Sequence, residues 1–200
     1  MDVKTLGEHY TQIAYWWEGN RKDSKYGVEY VERAIRRLKN KKRALDVGCG
    51  SGGKIIDTIL ESEFSLTALD VSDGMMSIAK EKHPTVSFEN VDFMIWSSDM
   101  TFDLIVAWDS TFHAPSTQQK PIVEKMCSHL APDGVLLFTS GDSHGDIVGE
   151  DMNGVGFEYG SLHPLEYLRI IDDCGCDFVI MERDQPDPRH VVHVCKKRNG

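Results

Sequence analysis

The sequence predicts an α/β fold in which a mostly parallel, seven-stranded sheet carries helices on both faces and is preceded by N-terminal helices. From residue 44 onward, short apolar runs alternate with amphipathic stretches of helical spacing, as in consecutive βαβ units. The first apolar run ends in a cluster of glycines. The last two runs are separated only by a short stretch around "DQPDP", which is too short for a parallel crossover. The last strand should therefore run antiparallel to its neighbour.

The predicted elements follow in chain order. Residues 1–40 should form two helices, broken around "EGNRKDS", that act as a helical lid. Residues 41–200 should form one domain, whose predicted strands are "RALDVG", "SLTALDV", "TVSFENV", "FDLIVAW", "GVLLFTS", "CDFVIMER" and "HVVHVCKK". One helix is predicted from Ser51, and others over "DGMMSIAKEK", "TQQKPIVEKMCSHL" and "HPLEYLRIIDDCG", the last of which ends at Gly175.

Composition limits the class of protein. A chain of 200 residues that is 40% hydrophobic can bury the core of one domain. No apolar stretch is long enough to span a membrane and the start has no apolar signal region, so we expect a cytoplasmic protein without membrane contact. The five cysteines are an odd number without a C-x-x-C pair, and Cys174 and Cys176 are too close for the usual zinc knuckle, which favours reduced thiols.

The formal net charge of −10 is unevenly distributed. Residues 1–43 hold 11 basic against 6 acidic residues, and the remainder holds 11 against 26. The basic run "RRLKNKKR", residues 36–43, would allow a nucleic-acid contact, but cations also suit the C-terminal end of a helix. Because the rest of the surface repels phosphate, we predict no nucleic-acid partner.

The stretch "ALDVGCGSGG", residues 44–53, predicts a strand, a tight turn and a helix that bring a small molecule against the backbone. Gly48, Gly50 and Gly53 have the G-x-G-x-x-G spacing of a dinucleotide site. A dinucleotide would place its pyrophosphate near Asp46, whose carboxylate would repel it. An acid at that position suits a cofactor that carries an ammonium and a sulfonium group, such as S-adenosylmethionine.

Two further acids bear on the choice of cofactor. Asp70 ends the second strand, where it can accept hydrogen bonds from the ribose hydroxyls of either NAD or S-adenosylmethionine. Asp92 follows the third strand, where an acceptor can meet an adenine amino group. A dinucleotide site makes no such demand, so Asp92 favours S-adenosylmethionine.

Five segments in order resemble the motifs of class I S-adenosylmethionine-dependent methyltransferases: "ALDVGCGSG", "LTALDVSDGMM", "VDF", "FDLIVAWDS" and "HLAPDGVLLF". They cover roughly residues 40–140, and the chain also resembles small bacterial methyltransferases with "AWDSxFH" and "TSG…G" segments. The resemblance implies a Rossmann-like fold, methyl transfer, and a cofactor site made of Asp46, Gly48, Cys49, Gly50, Asp70, Val71, Met75, Asp92, Phe93 and Trp108. Ordinary core packing is the alternative role for Val71, Met75 and Phe93.

Candidates for the chemistry lie past the fourth strand, where open α/β sheets bind ligands. The segment "WDSTFHAP" places Asp109 and His113 beside the expected methyl group, and we predict both as catalytic residues. Packing of the following helix is the alternative role for His113. A catechol-type metal site made of Asp109, His113 and His144 has no ligand signature in the sequence, so we predict no metal.

Two other segments are predicted to border the acceptor. Residues 140–163 form a long glycine-rich stretch, a loop or ribbon in which His144, Tyr159 and His163 are the expected polar contacts. The first predicted helix carries an N-terminal aromatic cluster, made of Tyr10, Tyr15, Trp16 and Trp17. In this cluster, Tyr10 is predicted to approach the cofactor and Trp16 the acceptor. Buried packing is the alternative role for this cluster.

We therefore expect S-adenosylmethionine-dependent methyl transfer to an oxygen or nitrogen of a small-molecule acceptor. The Asn-Pro-Pro-Tyr type of motif is absent after the fourth strand, where "AWDS" stands, which argues further against a nucleic-acid substrate. The alternatives are an NAD-dependent oxidoreductase and a non-catalytic cofactor-binding regulator. The sequence names neither the acceptor nor the oligomeric state.

Overall fold

A computed structural model of the protein describes residues 1–149, 151–185 and 190–199. The strands of this described part are β1 (Arg43–Val47), β2 (Ser65–Asp70), β3 (Ser87–Asn90), β4 (Phe102–Ala107), β5 (Leu130–Gly141), β6 (Gly145–Val148), β7 (Glu158–Ser161), β8 (Cys176–Gln185) and β9 (His190–Lys197). Its helices are α1 (Val3–Arg21), α2 (Val28–Ile35), α3 (Lys54–Glu61), α4 (Asp73–Lys82), α5 (Ser116–Ser128) and α6 (Pro164–Asp173), with a short 3₁₀ helix at Thr111–His113.

Seven strands form one mixed sheet in the order β3-β2-β1-β4-β5-β9-β8. Strands β1 to β5 are parallel to one another, and β9 runs antiparallel to both β5 and β8. The predicted seven-stranded, mostly parallel sheet with a reversed last strand is therefore confirmed. The last strand lies between β5 and β8, so β8 forms the edge. Residues 186–188 of the predicted "DQPDP" turn lie outside the described residues.

Helices cover both faces of the sheet, and each strand contributes to both cores because its successive side chains point to opposite faces. On one face, α2 and α3 pack against residues such as Ala44 and Val106. On the other face, α5 and α6 pack against neighbours of those residues in the same strands, such as Leu45 and Ile105. Two apolar cores thus hold the sheet between helical layers. No helix among the described residues is both long and apolar enough to cross a membrane.

Helix α1 packs on α4 at the end of β2, and two glycines allow the close approach. A Cβ atom at Gly7 would lie 2.5 Å from the carbonyl oxygen of Val71, and one at Gly74 would lie 3.0 Å from the backbone of Thr11. The Thr11 hydroxyl also accepts a hydrogen bond from the Gly74 N–H (3.2 Å) and is 3.0 Å from the Ser72 hydroxyl. This close docking places the first helix over the carboxyl ends of the parallel strands.

One predicted helix begins later in the structure, and one loosely predicted segment gains a definite form. The helix predicted from Ser51 begins at Lys54, because Gly52 has a left-handed φ of +68° that keeps the chain in a turn. The segment 140–163, predicted as a loop or ribbon, contains the antiparallel pair β6–β7. This two-stranded sheet lies beside the 3₁₀ helix and α5, close to the mouth of β4.

Candidate active site

A cleft of about 900 Å³ opens at the carboxyl ends of the parallel strands. The loops after β1, β2, β3 and β4 form its floor, and α1 forms one wall. Open α/β sheets bind ligands at this edge, where strand order changes direction around the first strand. The predicted cofactor residues that line this cleft are Tyr10, Asp46, Gly48, Cys49, Gly50, Asp70, Val71, Met75, Asp92, Phe93 and Trp108. The structure therefore brings every one of them together.

The glycine loop after β1 is shaped by backbone contacts. Gly48 has a φ of +78°, and a Cβ atom there would lie 2.3 Å from the Cβ of Ser110. The N–H groups of Gly48 and Cys49 both donate to the carbonyl oxygen of Leu69, at 2.8 and 3.0 Å. Gly50 has a φ of +56° and open space beside it. Gly48 is thus required by packing against the β4 loop, whereas Gly50 leaves bare backbone in the cleft.

The carboxylate of Asp70 joins the loops after β1 and β2. One oxygen accepts from the N–H of Gly50 at 2.8 Å, and the other accepts from the N–H of Ser72 at 2.8 Å. Burial raises the pKa of Asp70, and these backbone hydrogen bonds act in the opposite direction. Each carboxylate oxygen can accept a further hydrogen bond, so Asp70 retains the capacity to bind vicinal hydroxyls.

Asp46 is the most unusual charged group of the cleft. Its side chain is only 3% exposed, and it makes no hydrogen bond or ion pair within the described part of the chain. Burial, together with the nearby charge of Asp70, raises the pKa of Asp46 to about 7. A buried carboxylate without a partner is costly, and a cation placed beside it would stabilise its charged form.

The opposite end of the cleft is apolar with a few polar atoms. Met75 and Phe93 are buried, and the Asp92 carboxylate accepts from the N–H of Met94 at 2.8 Å. Met75, Phe93 and Asp92 thus match the expected surroundings of an adenine ring.

Trp108 lies elsewhere in the cleft, since it belongs to the core on the opposite face of the sheet from Phe93. Its indole stacks on Tyr30, with ring centroids 5.7 Å apart, and its ring centroid is 5.8 Å from that of His190. Its Nε1 atom is buried and has no hydrogen-bond partner among the described residues.

His113 lies in the cleft with both ring nitrogens engaged. Nδ1 is 3.1 Å from the carbonyl oxygen of Glu158, which can only accept, so Nδ1 carries the proton. Nε2 therefore accepts from the Tyr10 hydroxyl, 2.7 Å away. Burial lowers the pKa of His113 to about 4, so the imidazole is neutral near pH 7. The pair presents a neutral base that is covered by a phenol from the N-terminal helix.

Asp109 is held by residues that the sequence analysis did not select. It has a left-handed φ of +49°, and its Oδ1 accepts from Nε2–H of His190 at 2.8 Å. Nδ1–H of His190 donates to Asp184 at 2.6 Å, and the Tyr26 hydroxyl donates to the other oxygen of Asp184 at 2.6 Å. Burial lowers the pKa of His190, but its hydrogen bonds to Asp109 and Asp184 and their charges outweigh burial and raise it.

A signal for this network was present in the sequence. Because β9 is antiparallel to β5, its first residue, His190, pairs with Gly141 at the carboxyl end of β5. Asp184 lies near the carboxyl end of β8. The predicted reversal of the last strand therefore already places His190 at the edge of the sheet where the cleft lies.

Several residues predicted to contact the acceptor lie elsewhere. His144 is exposed and pairs with Glu166 at 2.9 Å. His163 caps α6, where its ring accepts from the N–H of Leu165. Trp16 lies on the outer side of α1, and its neighbour Trp17 lines the cleft instead. As acceptor contacts, His144, His163 and Trp16 stay predictions that the cleft geometry does not support.

Tyr159 is closer to the site, since its ring centroid is 4.9 Å from that of His113.

The alternative metal site of the sequence analysis requires three side chains to lie close together. Within the described residues, Asp109, His113 and His144 do not form a group of potential metal ligands. The geometry thus gives a cleft with an acidic floor, apolar side chains and the Tyr10–His113 pair.

Comparisons with known proteins show what the chain is similar to. Residues 44–134 match the family described as a methyltransferase domain. A protein of Geobacillus sp. (strain WCH70) that is named as a methyltransferase is 24% identical, with 64% of this chain and 56% of that protein covered. Trans-aconitate 2-methyltransferase of Variovorax paradoxus is 28% identical, with 62% of this chain and 48% of that protein covered. The chain spans about half the length of these curated relatives.

Solved structures share the fold over the whole chain. The CcbJ methyltransferase of Streptomyces caelestis has a TM-score of 0.77 at 14% identity and covers 100% of both chains. The DhpI complex with S-adenosylhomocysteine has a TM-score of 0.72 at 19% identity and covers 99% of this chain and 98% of that one. The solved structures confirm the predicted fold, and the match over residues 44–134 agrees with the predicted resemblance to methyltransferases.

Proposed function

We propose, on the premise that residues 44–134 belong to the methyltransferase domain family, that this protein transfers a methyl group from S-adenosylmethionine to an oxygen or nitrogen of a small-molecule acceptor. When bound, this cofactor supplies an electrophilic methyl group on a sulfonium. The protein then has to hold the donor, align the acceptor and accept a proton. The named relative that acts on trans-aconitate supports an acceptor of small size.

The observation that carries the proposal is the unpaired carboxylate of Asp46. It lines the cleft beside the glycine loop, buried and without a hydrogen bond among the described residues. A pyrophosphate at the loop would meet this carboxylate and that of Asp70, and both would repel it. An ammonium or sulfonium would instead stabilise the charged form of Asp46, whose pKa lies near 7 in the free protein.

The remaining contacts follow from the chemistry of each group. Asp70 can accept hydrogen bonds from the two ribose hydroxyls, and Asp92 can accept one from the adenine amino group. Met75 and Phe93 provide the apolar faces between which an adenine ring can stack. Cys49 and Gly50 offer backbone to the methionine part. These assignments rest on the positions of the groups along one cleft.

The Tyr10–His113 pair supplies the route for a proton. The Tyr10 hydroxyl already donates to Nε2 of His113. As the acceptor loses its proton, the Tyr10 oxygen can take it while the phenolic proton moves to Nε2. The charge of Asp109 works against the burial that lowers the pKa of His113, so it stabilises the imidazolium that this transfer creates. His190 in turn holds Asp109 in place.

The proposal is tested by binding and by methyl release. Calorimetry should show that S-adenosylhomocysteine binds and that NADH does not. Tight binding of NADH without binding of S-adenosylhomocysteine would instead support the oxidoreductase alternative. Incubation with labelled S-adenosylmethionine and a panel of hydroxyl and amine acceptors should give labelled product. Binding without product for every acceptor would support a non-catalytic regulator.

Two variants test the proton route once an acceptor is known. Tyr10→Phe removes the hydroxyl and keeps the ring, and His113→Ala removes the base. Both should leave the affinity for S-adenosylhomocysteine within about twofold and lower turnover by about 10²–10⁴-fold, the usual contribution of a general base. Turnover equal to that of the unmodified protein in both variants would assign the pair to packing alone.

A further inference from the structure

Four of the five cysteines of the chain converge at the edge of the sheet opposite the cleft. Cys127 lies near the end of α5, and Cys174 follows α6. Cys176 begins β8, and Cys195 lies near the end of β9. The Sγ atoms of Cys127, Cys176 and Cys195 all lie within 4.8 Å of one another. Each of these three side chains is at most 1% exposed.

The turn between α6 and β8 adds the fourth thiol. It has the sequence Cys174-Gly175-Cys176, and Gly175 adopts a left-handed φ of +72°. This conformation reverses the chain within one residue and keeps both cysteines at the same core. Cys174 is half-buried and packs against the cluster that contains the other three.

A positive charge accompanies the thiols. The Lys197 ammonium donates to the carbonyl oxygen of Cys174 at 2.8 Å and to that of Cys127 at 3.5 Å. The ammonium therefore lies beside the thiols, where it can offset negative charge at the cluster.

We propose that this cluster binds one zinc ion through the thiolates of Cys127, Cys176 and Cys195, and that the thiolate of the adjacent Cys174 moves in as the fourth ligand. Thiolates select thiophilic ions, and zinc accepts four ligands at about 2.3 Å in a tetrahedron, in which neighbouring sulfurs lie about 3.8 Å apart. The sulfur atoms of these three thiols thus need to approach one another by at most about 1 Å. Each coordinating thiol releases its proton to solvent.

The charges also fit a divalent ion. Four thiolates and one zinc ion leave two negative charges, one of which the Lys197 ammonium offsets. The site is closed by the core and lies far from the cleft, so the ion would be structural and would fasten α5, α6 and the β8–β9 pair to one another. The ligands come from separate elements, so no zinc-knuckle spacing in the sequence announces the site.

Cobalt exchange into the full-length protein tests the proposal. The purified, reduced protein should contain about one zinc ion per chain by elemental mass spectrometry. Replacement of that zinc by Co²⁺ should give thiolate-to-cobalt charge transfer in the near ultraviolet and the ligand-field bands of a tetrahedral site. Added Zn²⁺ should remove these bands. Cys49→Ser, which changes the fifth cysteine, is the matched control and should keep them.

Substitution of Cys127, Cys176 or Cys195 could prevent folding, because these three side chains are fully buried. Two further measurements therefore leave them unchanged. Cys174→Ser changes a half-buried residue, so it should fold and show weaker charge transfer with one thiolate fewer. Zn²⁺ should raise the melting temperature of the unmodified, metal-stripped protein. The proposal is overturned by protein without zinc that gives no tetrahedral cobalt spectrum, since the thiols would then be apolar core side chains. A mass that shows disulfide-bonded cysteines in the freshly purified protein would overturn it equally.

Discussion

Replacement of Asp46 by asparagine should change stability and cofactor affinity in opposite directions. Asp46 is a buried acid whose pKa rises from 3.8 to about 7 on folding. Because the folded pKa is above the unfolded one, the ionised carboxylate destabilises the free protein as the pH rises from about 4 to 7. A neutral asparagine of the same shape removes this penalty. It also removes the anion that we propose meets the cationic end of the cofactor.

The magnitudes follow from the pKa. A rise of about 3 pH units corresponds to about 4 kcal/mol at pH 8, which is the upper limit for the gain in free energy of unfolding of Asp46→Asn. The difference should vanish near pH 4, where the carboxyl is neutral in both states. Loss of a charge-assisted contact should weaken binding of S-adenosylmethionine by about 1–3 kcal/mol, or roughly 5- to 150-fold.

The affinity of the unmodified protein should also depend on pH. With a pKa of about 7, only about a tenth of Asp46 is ionised at pH 6, so binding should tighten about tenfold between pH 6 and pH 8. Urea denaturation measures stability, and calorimetry with S-adenosylhomocysteine measures affinity across this range. Asp46→Asn should retain only the titration of the ligand itself. Asp99→Asn, which changes an exposed acid outside the cleft, is the control and should follow the unmodified protein.

The reasoning fails if Asp46→Asn destabilises the protein at pH 8 and binds cofactor as tightly as the unmodified protein. Such a result would mean that the carboxylate has a partner in solution and does not face the cofactor. Destabilisation together with weaker binding would indicate local misfolding, so the opposite signs of the two effects are the diagnostic result.

Substitutions of Asp70 and of His190 give two separate predictions. Asp70→Ala should weaken cofactor affinity by about 1–3 kcal/mol, because it removes charge-assisted hydrogen bonds, and calorimetry measures this loss. His190→Gln should leave Asp109 and Asp184 without their shared imidazolium and lower the free energy of unfolding by about 3 kcal/mol at pH 6. Since the folded pKa of His190 is raised, this advantage of the unmodified protein should shrink as the pH rises through that pKa, which urea denaturation at pH 6 and 9 measures.

Controls separate these effects from general damage. Asp73→Ala removes an exposed acid at the start of α4, and its cofactor affinity should be that of the unmodified protein. Unchanged affinity in Asp70→Ala would remove that residue from the cofactor site. For His190→Gln, a stability difference that stays constant between pH 6 and pH 9 would show that the imidazolium charge contributes nothing.

The sequence predicted the elements whose cause is local. The helix over "DGMMSIAKEK" matches α4, because Ser72 caps its N-terminus and accepts from the N–H of Met75. The start of α3 was predicted too early, because the helical spacing alone did not show that Gly52 adopts a left-handed conformation. The β6–β7 ribbon was predicted only as an irregular or ribbon-like segment, since its strands are short and alternate weakly.

What the sequence by itself determined is the order of strands and helices, the glycine loop and the positions of Asp46 and Asp70 at strand ends. These features depend on periodicity and on the backbone freedom of glycine, which neighbouring residues decide. Only the tertiary structure decided that His190 and Asp184 meet Asp109. It also decided that four cysteines share one core, because both groupings require β9 to lie between β5 and β8. Contacts between distant segments come from packing, which no local pattern encodes.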